Sequence, residues 1–214
     1  MRKLFFIIFL IQFNFIQSDY SLHPRADFVV NELVNSHGFE EGQVLDVLKN
    51  AKKQQTIIDR ISAPAEFTIT WDAYRNIFIE DKRIKNGKKF IENNLLTLKK
   101  AEEEFGVPKE IITAILGVET RYGNIQGKDR VLDSLTTLGF DYPRRAEFFR
   151  NELIKFFILT RENNLDIYGV KGSYAGAMGY GQFISSSYLA YAIDLSLIHI
   201  SEPTRPERIG DGRV

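Results

Sequence analysis

Apolar residues recur at intervals of three and four along most of the chain, which is the pattern of amphipathic helices that share a core. Strand-length alternation of apolar and polar residues is not convincing anywhere, and no internal repeat is found. Gly106 is placed to end one helix, and Pro108 to occupy the first position of the next. The spacing predicts helices that end near Gly38, begin near Glu40, and cover residues 90–105, 108–122 and 145–161. The chain is therefore predicted to be a mainly α domain.

Two stretches depart from this periodicity. The helical pattern breaks at residues 63–65, and residues 67–71 (Phe-Thr-Ile-Thr-Trp) are extended in character. Five glycines then fall within thirteen residues: Gly169, Gly172, Gly176, Gly179 and Gly181. Glycine is the residue that permits sharp turns and close approach of the backbone, so this stretch is predicted to be a tight loop.

The N-terminal residues have the pattern of an export signal. Arg2 and Lys3 precede an apolar run from Leu4 to Leu10 that continues, with interruptions, to Ile16. This run is typical of a secretory signal and is short and interrupted for a membrane span. We assign residues 1–18 to a signal peptide, with an uncleaved anchor as the alternative. In both cases the body of the protein is expected outside the cytoplasm.

The amino-acid composition excludes several kinds of functional site. The 214 residues have a formal net charge of zero and include no cysteine and three histidines. The absence of cysteine excludes disulfides, thiolate metal sites and a cysteine nucleophile. The histidines are far apart in sequence, which makes a zinc site or a Ser–His–Asp triad improbable. We therefore expect no metal, no cofactor and no nucleic-acid partner.

The helix predicted over residues 108–122 contains a candidate catalytic acid. Glu119 lies seven residues after Ile112, four after Ile115 and three after Leu116, so helical spacing places it on their apolar face. Burial there would raise the pKa of the carboxyl and allow it to act as a general acid near neutral pH. A buried glutamate that pairs with an arginine for structural reasons is the alternative.

The motif around Glu119, Gly-Val-Glu-Thr-Arg-Tyr-Gly at residues 117–123, resembles the catalytic signature of lytic transglycosylases of the membrane-bound lytic murein transglycosylase B type. The resemblance extends from about residue 28 to residue 194 and includes several further segments in the order of that family. They lie at residues 71–74, 106–112, 138–149, 171–183 and 186–188.

The resemblance implies a lysozyme-like domain with a glycine-rich active-site loop. It also implies cleavage of the β-1,4 bond between N-acetylmuramic acid and N-acetylglucosamine in peptidoglycan, with formation of a 1,6-anhydro ring. Glu119 would protonate the leaving oxygen and then accept the proton of the muramoyl C6 hydroxyl. A single carboxylate is then sufficient, whereas hydrolytic glycosidases generally need two.

Further site residues follow from the resemblance. Ser173 corresponds to a serine that binds the N-acetyl group of the reacting sugar; a turn-forming serine is the alternative. Arg144 and Arg145 correspond to an arginine pair that meets carboxylates or stem-peptide oxygens, the alternative being a surface pair at a helix N-terminus.

The remaining candidates are an amide and two aromatic residues. Gln182 corresponds to a residue that lines the groove and could hold sugar hydroxyls. Tyr74 and Tyr122 could stack on sugar rings, and ordinary core packing is the alternative for each. Met178 is as compatible with the core as with the groove.

The C-terminal residues depart from the family pattern. Residues 195–214 contain two prolines and have no clear period, and the residues that follow Asp194 lack the alternating oxygen ligands of a calcium loop. We assign residues 19–194 to a partial transglycosylase domain, incomplete at its C-terminus, and residues 195–214 to a tail outside the family.

Two other functions stay open at this point. One is a lysozyme-like muramidase that hydrolyses the same bond with water, and the other is a non-catalytic scaffold that binds peptidoglycan. For the leading hypothesis, the expected partners are the glycan strands and proteins of cell-wall synthesis or remodelling. The protein is expected to be a periplasmic or cell-envelope monomer.

Overall fold

A computed structural model describes residues 19–63 and 70–192. These residues form ten α-helices: α1 (Ala26–Asn31), α2 (Glu41–Asn50), α3 (Gln55–Ser62), α4 (Trp71–Phe78), α5 (Asp81–Asn93), α6 (Leu95–Phe105), α7 (Lys109–Thr120), α8 (Val131–Asp141), α9 (Ala146–Glu162) and α10 (Ser185–Tyr191). Two strands of two residues each, β1 (Asp129–Arg130) and β2 (Lys171–Gly172), pair antiparallel. Short 3₁₀ turns lie at Tyr20–Leu22 and Pro143–Arg145, and a π-helical turn lies at Glu32–Ser36. The prediction of a mainly α fold is confirmed.

The core is built around α8 and α9, which pack against each other. Every residue of α8 from Val131 to Phe140 is buried, and α9 buries Leu153, Phe156 and Leu159 against it. A helix that is buried on all sides has no polar stripe. This is why the spacing of apolar residues does not predict α8.

Two buried polar side chains of α8, Asp133 and Thr137, are satisfied by neighbouring backbone. The Asp133 carboxylate accepts a hydrogen bond from the backbone N–H of Lys52 at 2.8 Å. The Thr137 hydroxyl accepts one from the N–H of Gln54 at 3.0 Å. Buried polar groups are tolerated when they are paired in this way. These bonds hold the segment between α2 and α3 against the core.

Two further elements cover this core. On the N-terminal side, the Tyr20 hydroxyl donates to the carboxylate of Asp141 at the end of α8. On the C-terminal side, α10 packs on α9, and the N–H of Ser186 donates to the Glu152 carboxylate at 2.9 Å. Within residues 19–63 and 70–192 no helix has the length and apolar character needed to cross a membrane.

The helices α5 and α6 pack on α7, which carries the candidate acid. The prediction of a single helix over residues 90–105 is wrong, because α5 ends and α6 begins at Asn94. The side chain of Asn94 donates to the carbonyl of Phe90 at 2.9 Å and so competes with the helical backbone. Gly106 ends α6 with φ +66°, as predicted, and Pro108 caps α7 rather than forming its first residue.

Of the remaining predictions, the extended conformation of Trp71 is wrong, and the others fall on residues that the structure does not describe. Trp71 is not extended but begins α4, where the Thr70 hydroxyl accepts the N–H of Ala73 at 3.4 Å. Residues 67–69 are not among the described residues. The predicted signal peptide at residues 1–18 and the tail at 195–214 also lie outside them.

Candidate active site

Glu119 lies in the last turn of α7, and its side chain is exposed. It shares a helix face with Ile112 and Ile115, as the spacing predicts, but Ile115 is itself 53% exposed. The buried side of α7 is formed instead by Thr113, Gly117 and Thr120. The expectation of a desolvated carboxylate is therefore wrong for the described part of the chain. Spacing shows which side chains share a face, but it does not show which face is covered.

The structure also bears on the alternative of a structural ion pair. Among the described residues no hydrogen bond or ion pair involves the carboxylate of Glu119. The neighbouring residue Arg121 instead pairs with Glu80 at the start of α5, with 3.4 Å between Nη1 and Oε1. Within the described residues, both oxygens of Glu119 are thus available for a ligand.

Directly after Thr120, the backbone enters the left-handed region of φ. Arg121, Tyr122 and Gly123 have φ angles of +50°, +62° and +83°, three consecutive residues in the left-handed region. A residue other than glycine in this region costs about 1–3 kcal/mol and persists only when its surroundings hold it there. This turn ends α7 and fixes the position of its last residues.

The side chain of Thr120 holds this turn. Thr120 is fully buried, and its hydroxyl accepts the N–H of Gly123 at 2.9 Å. The same hydroxyl lies 3.0 Å from the carbonyl oxygen of Tyr180, in the glycine-rich loop. A Cβ on Gly123 would lie 2.5 Å from the ring of Tyr180 and would displace it, and the φ angle of +83° also favours glycine here. The residue after Glu119 is therefore joined directly to the loop.

Tyr122 lies in the packing between α5 and α7. Its hydroxyl donates to the carbonyl of Arg83 at 2.8 Å, and its ring centroid lies 5.6 Å from that of Phe90. Burial raises the pKa of the hydroxyl, which keeps it protonated as a donor. This environment is the packing alternative considered for Tyr122, and stacking of its ring on a sugar stays a prediction.

Ser173 shapes the glycine-rich loop. Its hydroxyl oxygen accepts the N–H groups of Ala175 at 3.3 Å and of Ala177 at 3.1 Å. Its backbone N–H donates to the carbonyl of Ala177 at 2.7 Å. Ser173 is thus a turn-forming serine, which is the alternative interpretation. The side chain is only partly buried, and its O–H can still donate to an oxygen of a ligand.

Gln182 forms a second connection between the loop and the turn after α7. Its Nε2 lies 3.0 Å from the carbonyl oxygen of Gly179 and 3.3 Å from that of Gln126. Gln126 in turn donates to the carbonyl of Gly123 at 2.9 Å. The amide oxygen of Gln182 has no hydrogen-bond partner among the described residues and could accept a sugar hydroxyl. Met178 is 5% exposed and belongs to the core.

The sequence gives weak signals for the two connecting residues that the prediction missed. Thr120 lies inside the 117–123 motif, in which the carboxylate of its neighbour Glu119 is the more obvious catalytic candidate. Gln126 follows that motif without any distinctive pattern. Only the pairing of the two segments in space shows that both residues hold the turn against the loop.

Arg144 and Arg145 lie in the 3₁₀ turn that follows α8. The glycine-rich loop packs on the first half of α8, where the N–H of Val131 donates to the carbonyl of Val170 at 3.0 Å. The arginines follow the C-terminal end of α8. Both are exposed, and the guanidinium of Arg145 lies 4.2 Å from the centroid of the Phe148 ring. The described contacts do not join them to Glu119.

Tyr74 also lies on a separate element, the exposed helix α4. Its ring is 48% exposed and stacks beside Trp71, with 6.1 Å between their centroids. Phe78 continues the same aromatic face, 5.0 Å from Tyr74. Among the residues that the structure describes, no three His, Asp or Glu side chains come together as a metal site would require.

Comparison with known proteins identifies the class. Residues 23–197 match the sequence profile described as the Transglycosylase SLT domain, and the chain belongs to this family. It is 41% identical over 187 residues to membrane-bound lytic murein transglycosylase B of Escherichia coli strain K12. That alignment covers 83% of this chain and 52% of the relative.

Solved structures of the family have the same fold. Soluble lytic transglycosylase SltB1 from Pseudomonas aeruginosa is 47% identical, with a TM-score of 0.79 over 81% of this chain and 58% of that one. The Escherichia coli lytic transglycosylase Slt35, solved in complex with bulgecin A, is 41% identical, with a TM-score of 0.78 over 89% and 62% of the two chains. The chain therefore spans between 52% and 62% of the length of these three relatives.

Proposed function

We propose that this chain is a peptidoglycan lytic transglycosylase in which Glu119 is the catalytic acid and base. The observation that carries the proposal is the position of Glu119. Its carboxylate is free of other described residues, and the next residue, Thr120, bonds to the glycine-rich loop. Family membership and the names of the relatives, lytic murein and lytic transglycosylases, support the choice of substrate.

The proposed reaction needs one carboxyl group. Glu119 donates its proton to the glycosidic oxygen as the bond from that oxygen to C1 of N-acetylmuramic acid breaks. The resulting carboxylate accepts the proton of the C6 hydroxyl while the C6 oxygen forms a bond to C1. The products are a 1,6-anhydromuramoyl end and a free hydroxyl on N-acetylglucosamine, and Glu119 is again protonated.

The other candidates have supporting roles in this proposal. Ser173 donates its O–H to the acetamido oxygen of the reacting sugar, and Gln182 accepts a sugar hydroxyl at its amide oxygen. Tyr74 offers an exposed ring to a more distant sugar. Arg144 and Arg145 bind carboxylates of the strand beyond the far end of α8. No cofactor is part of the proposal.

The proposal places the protein in the periplasm or cell envelope, where its substrate is found. The N-terminal pattern of a secretory signal supports export, and the E. coli relative is described as membrane-bound. Proteins of cell-wall synthesis or remodelling are the proposed partners.

The test is the variant Glu119→Gln, which keeps the shape of the side chain and removes its proton transfer. Purified sacculi are incubated with each protein, and the released muropeptides are identified by mass spectrometry. The rate of anhydro-muropeptide release is expected to fall by on the order of 10²–10⁴-fold, while binding to sacculi is retained. Glu103→Gln, on the exposed surface of α6, is the matched control and should behave like the parent.

Three results would contradict the proposal. Release by Glu119→Gln above about a tenth of the parent rate would remove Glu119 from the mechanism. Reducing ends in place of anhydro ends would identify a lysozyme-like hydrolase. Sacculus binding without any release by the parent would identify a scaffold protein.

A further inference from the structure

The guanidinium of Arg60, on α3, is connected to the glycine-rich loop on both sides of Ser173. Its Nη2 donates to the Asp129 carboxylate at 2.8 Å, and Asp129 in β1 pairs with Gly172, the residue before Ser173. The same guanidinium lies 4.9 Å from the centroid of the ring of Tyr174, the residue after Ser173. A cation over an aromatic face at this distance is attracted to the ring. One side chain therefore contacts groups that flank Ser173 on either side.

The helix that carries Arg60 is itself fixed on the core. The helix α3 packs on α8, and Ile57, one turn before Arg60, is fully buried. Just before α3, the N–H of Gln54 donates to the Thr137 hydroxyl at 3.0 Å. The Nε of Arg60 donates to the carbonyl of Thr56 at 3.3 Å, which orients the guanidinium relative to its own helix. The guanidinium is thus a fixed point against which the loop is placed.

The segment that contains Asp129 packs closely on the backbone of Ser173. A Cβ on Gly127, two residues before Asp129, would lie 2.0 Å from the carbonyl oxygen of Gly172. It would also lie 2.5 Å from the backbone nitrogen of Ser173. Closely packed groups transmit small displacements to one another. A shift of Asp129 would therefore move the backbone that carries the Ser173 hydroxyl.

We propose that Arg60 is a positioning residue that sets the Ser173 hydroxyl against the N-acetyl group of the sugar that Glu119 cleaves. This inference rests on the proposed function, in which Ser173 donates to the acetamido oxygen. The side chain of Arg60 is 41% exposed, so its ion pair with Asp129 contributes little to stability. A misplacement of about 1 Å, even one caused far from the reacting atoms, can lower a rate by about 100-fold. Loss of Arg60 should therefore lower the rate and leave the fold intact.

The kinetic test is a double-mutant cycle of Arg60→Met and Ser173→Ala. Arg60→Met keeps an unbranched side chain and removes the cation. The release of muropeptides from sacculi is expected to fall about three- to tenfold in this variant. In the Ser173→Ala background the same change should have no further effect, because no hydroxyl is left to be positioned. Equal fold losses in the two backgrounds would overturn the inference, since Arg60 would then act independently of Ser173.

Two further variants show whether the charge or the position of Arg60 matters. Lys53 forms an ion pair of similar exposure with Asp141, at the C-terminal end of α8, with 3.0 Å between Nζ and Oδ1. Lys53→Met is the matched control and should release muropeptides at the parent rate. Arg60→Lys keeps a cation that can pair with Asp129 and should recover part of the rate. Equal losses in Lys53→Met and Arg60→Met would assign the effect to a lost surface ion pair and overturn the inference.

Amide hydrogen exchange separates this inference from the proposed function, because it needs no substrate. The N–H groups of Ala175 and Ala177 donate to the hydroxyl oxygen of Ser173. Both should exchange faster in Arg60→Met than in the parent, and at the parent rate in Lys53→Met. Unchanged exchange in Arg60→Met would overturn the inference, whatever the protein does to peptidoglycan. Faster exchange, together with a parent that forms no anhydro product, would contradict the proposed function and leave the positioning of Ser173 by Arg60 supported.

Discussion

The hydroxyl of Thr120 lies 3.0 Å from the carbonyl oxygen of Tyr180 and so joins the end of α7 to a loop 60 residues later. The same oxygen accepts the N–H of Gly123 and closes the left-handed turn. A single buried side chain thus sets the position of Glu119 relative to the loop that contains Ser173.

Thr120→Val tests this connection because it keeps the shape of the side chain and removes the hydroxyl. The N–H of Gly123 and the carbonyl of Tyr180 would then lose their partner in a partly buried site. We expect the free energy of unfolding to fall by about 1 kcal/mol, the typical contribution of a hydrogen bond, because water can reach these partly buried groups. The release of anhydro-muropeptides should fall as well. Urea denaturation and muropeptide analysis measure the two effects.

Thr120→Ser is the matched control. It keeps the hydroxyl and loses one methyl group, which contributes about 0.8 kcal/mol when buried. Activity should be retained, because both hydrogen bonds can form. If the valine variant is as stable and as active as the parent, the hydroxyl does not position Glu119.

A second prediction concerns Gly87 on α5, which faces the hydroxyl of Tyr122. A Cβ at Gly87 would lie 2.7 Å from that oxygen and 3.3 Å from the ring carbon that bears it. Replacement of a helical glycine by alanine otherwise stabilises a helix by about 1 kcal/mol. Gly87→Ala should therefore destabilise the parent but stabilise the Tyr122→Phe variant, in which the clashing oxygen is absent. Urea midpoints of the four proteins give the coupling free energy.

Gly117 on α7 provides the contrast. Its Cβ would meet the hydroxyl at 2.6 Å and the ring carbons of Tyr122 at 2.7 and 2.8 Å. Removal of the hydroxyl does not relieve a contact with the ring, so Gly117→Ala should destabilise both the parent and Tyr122→Phe. Equal effects of Gly87→Ala in the two backgrounds would show that the Tyr122 ring is not held where the structure places it.

A third prediction concerns the pH dependence of stability. Burial lowers the pKa of His23 below its ordinary value of 6.5. The nearby cations Arg25, Arg150 and Lys53 lower it as well, whereas the carboxylate of Asp141 acts to raise it. The unfolded chain then binds a proton more readily than the folded one. The free energy of unfolding should fall as the pH drops below about 6.5.

The variant His23→Leu isolates this contribution. Urea midpoints are compared at about pH 7.5 and about pH 5, on either side of the ordinary histidine pKa. The parent should lose more stability between the two values than His23→Leu does. An equal loss in both proteins would assign the pH dependence to other groups.

The sequence predicts those features that depend on local spacing. The helix around Glu119 and the tight loop after Gly169 can be derived from periodicity and glycine content, although the predicted end of the helix, at Tyr122, lies two residues beyond its end at Thr120. The spacing also shows correctly that Glu119 and Ile115 share a face.

Features that depend on tertiary packing could not be predicted. The exposure of Ile115 and Glu119 depends on which elements lie beside α7, and no local pattern records that. The helix α8 was missed because its Asp133 and Thr137 look like surface residues and are in fact buried against backbone groups.

The pairing of α8 with α9 has a consequence for the order of folding. The two helices are consecutive, with only residues 142–145 between them, so their contacts close short loops and can form early. The bond between Thr120 and Tyr180 closes a loop of 60 residues and is expected to form after the folding transition state. Substitutions at Thr120 should then accelerate unfolding and leave the refolding rate nearly unchanged. The active site would be the last part of the domain to assemble and the first to open.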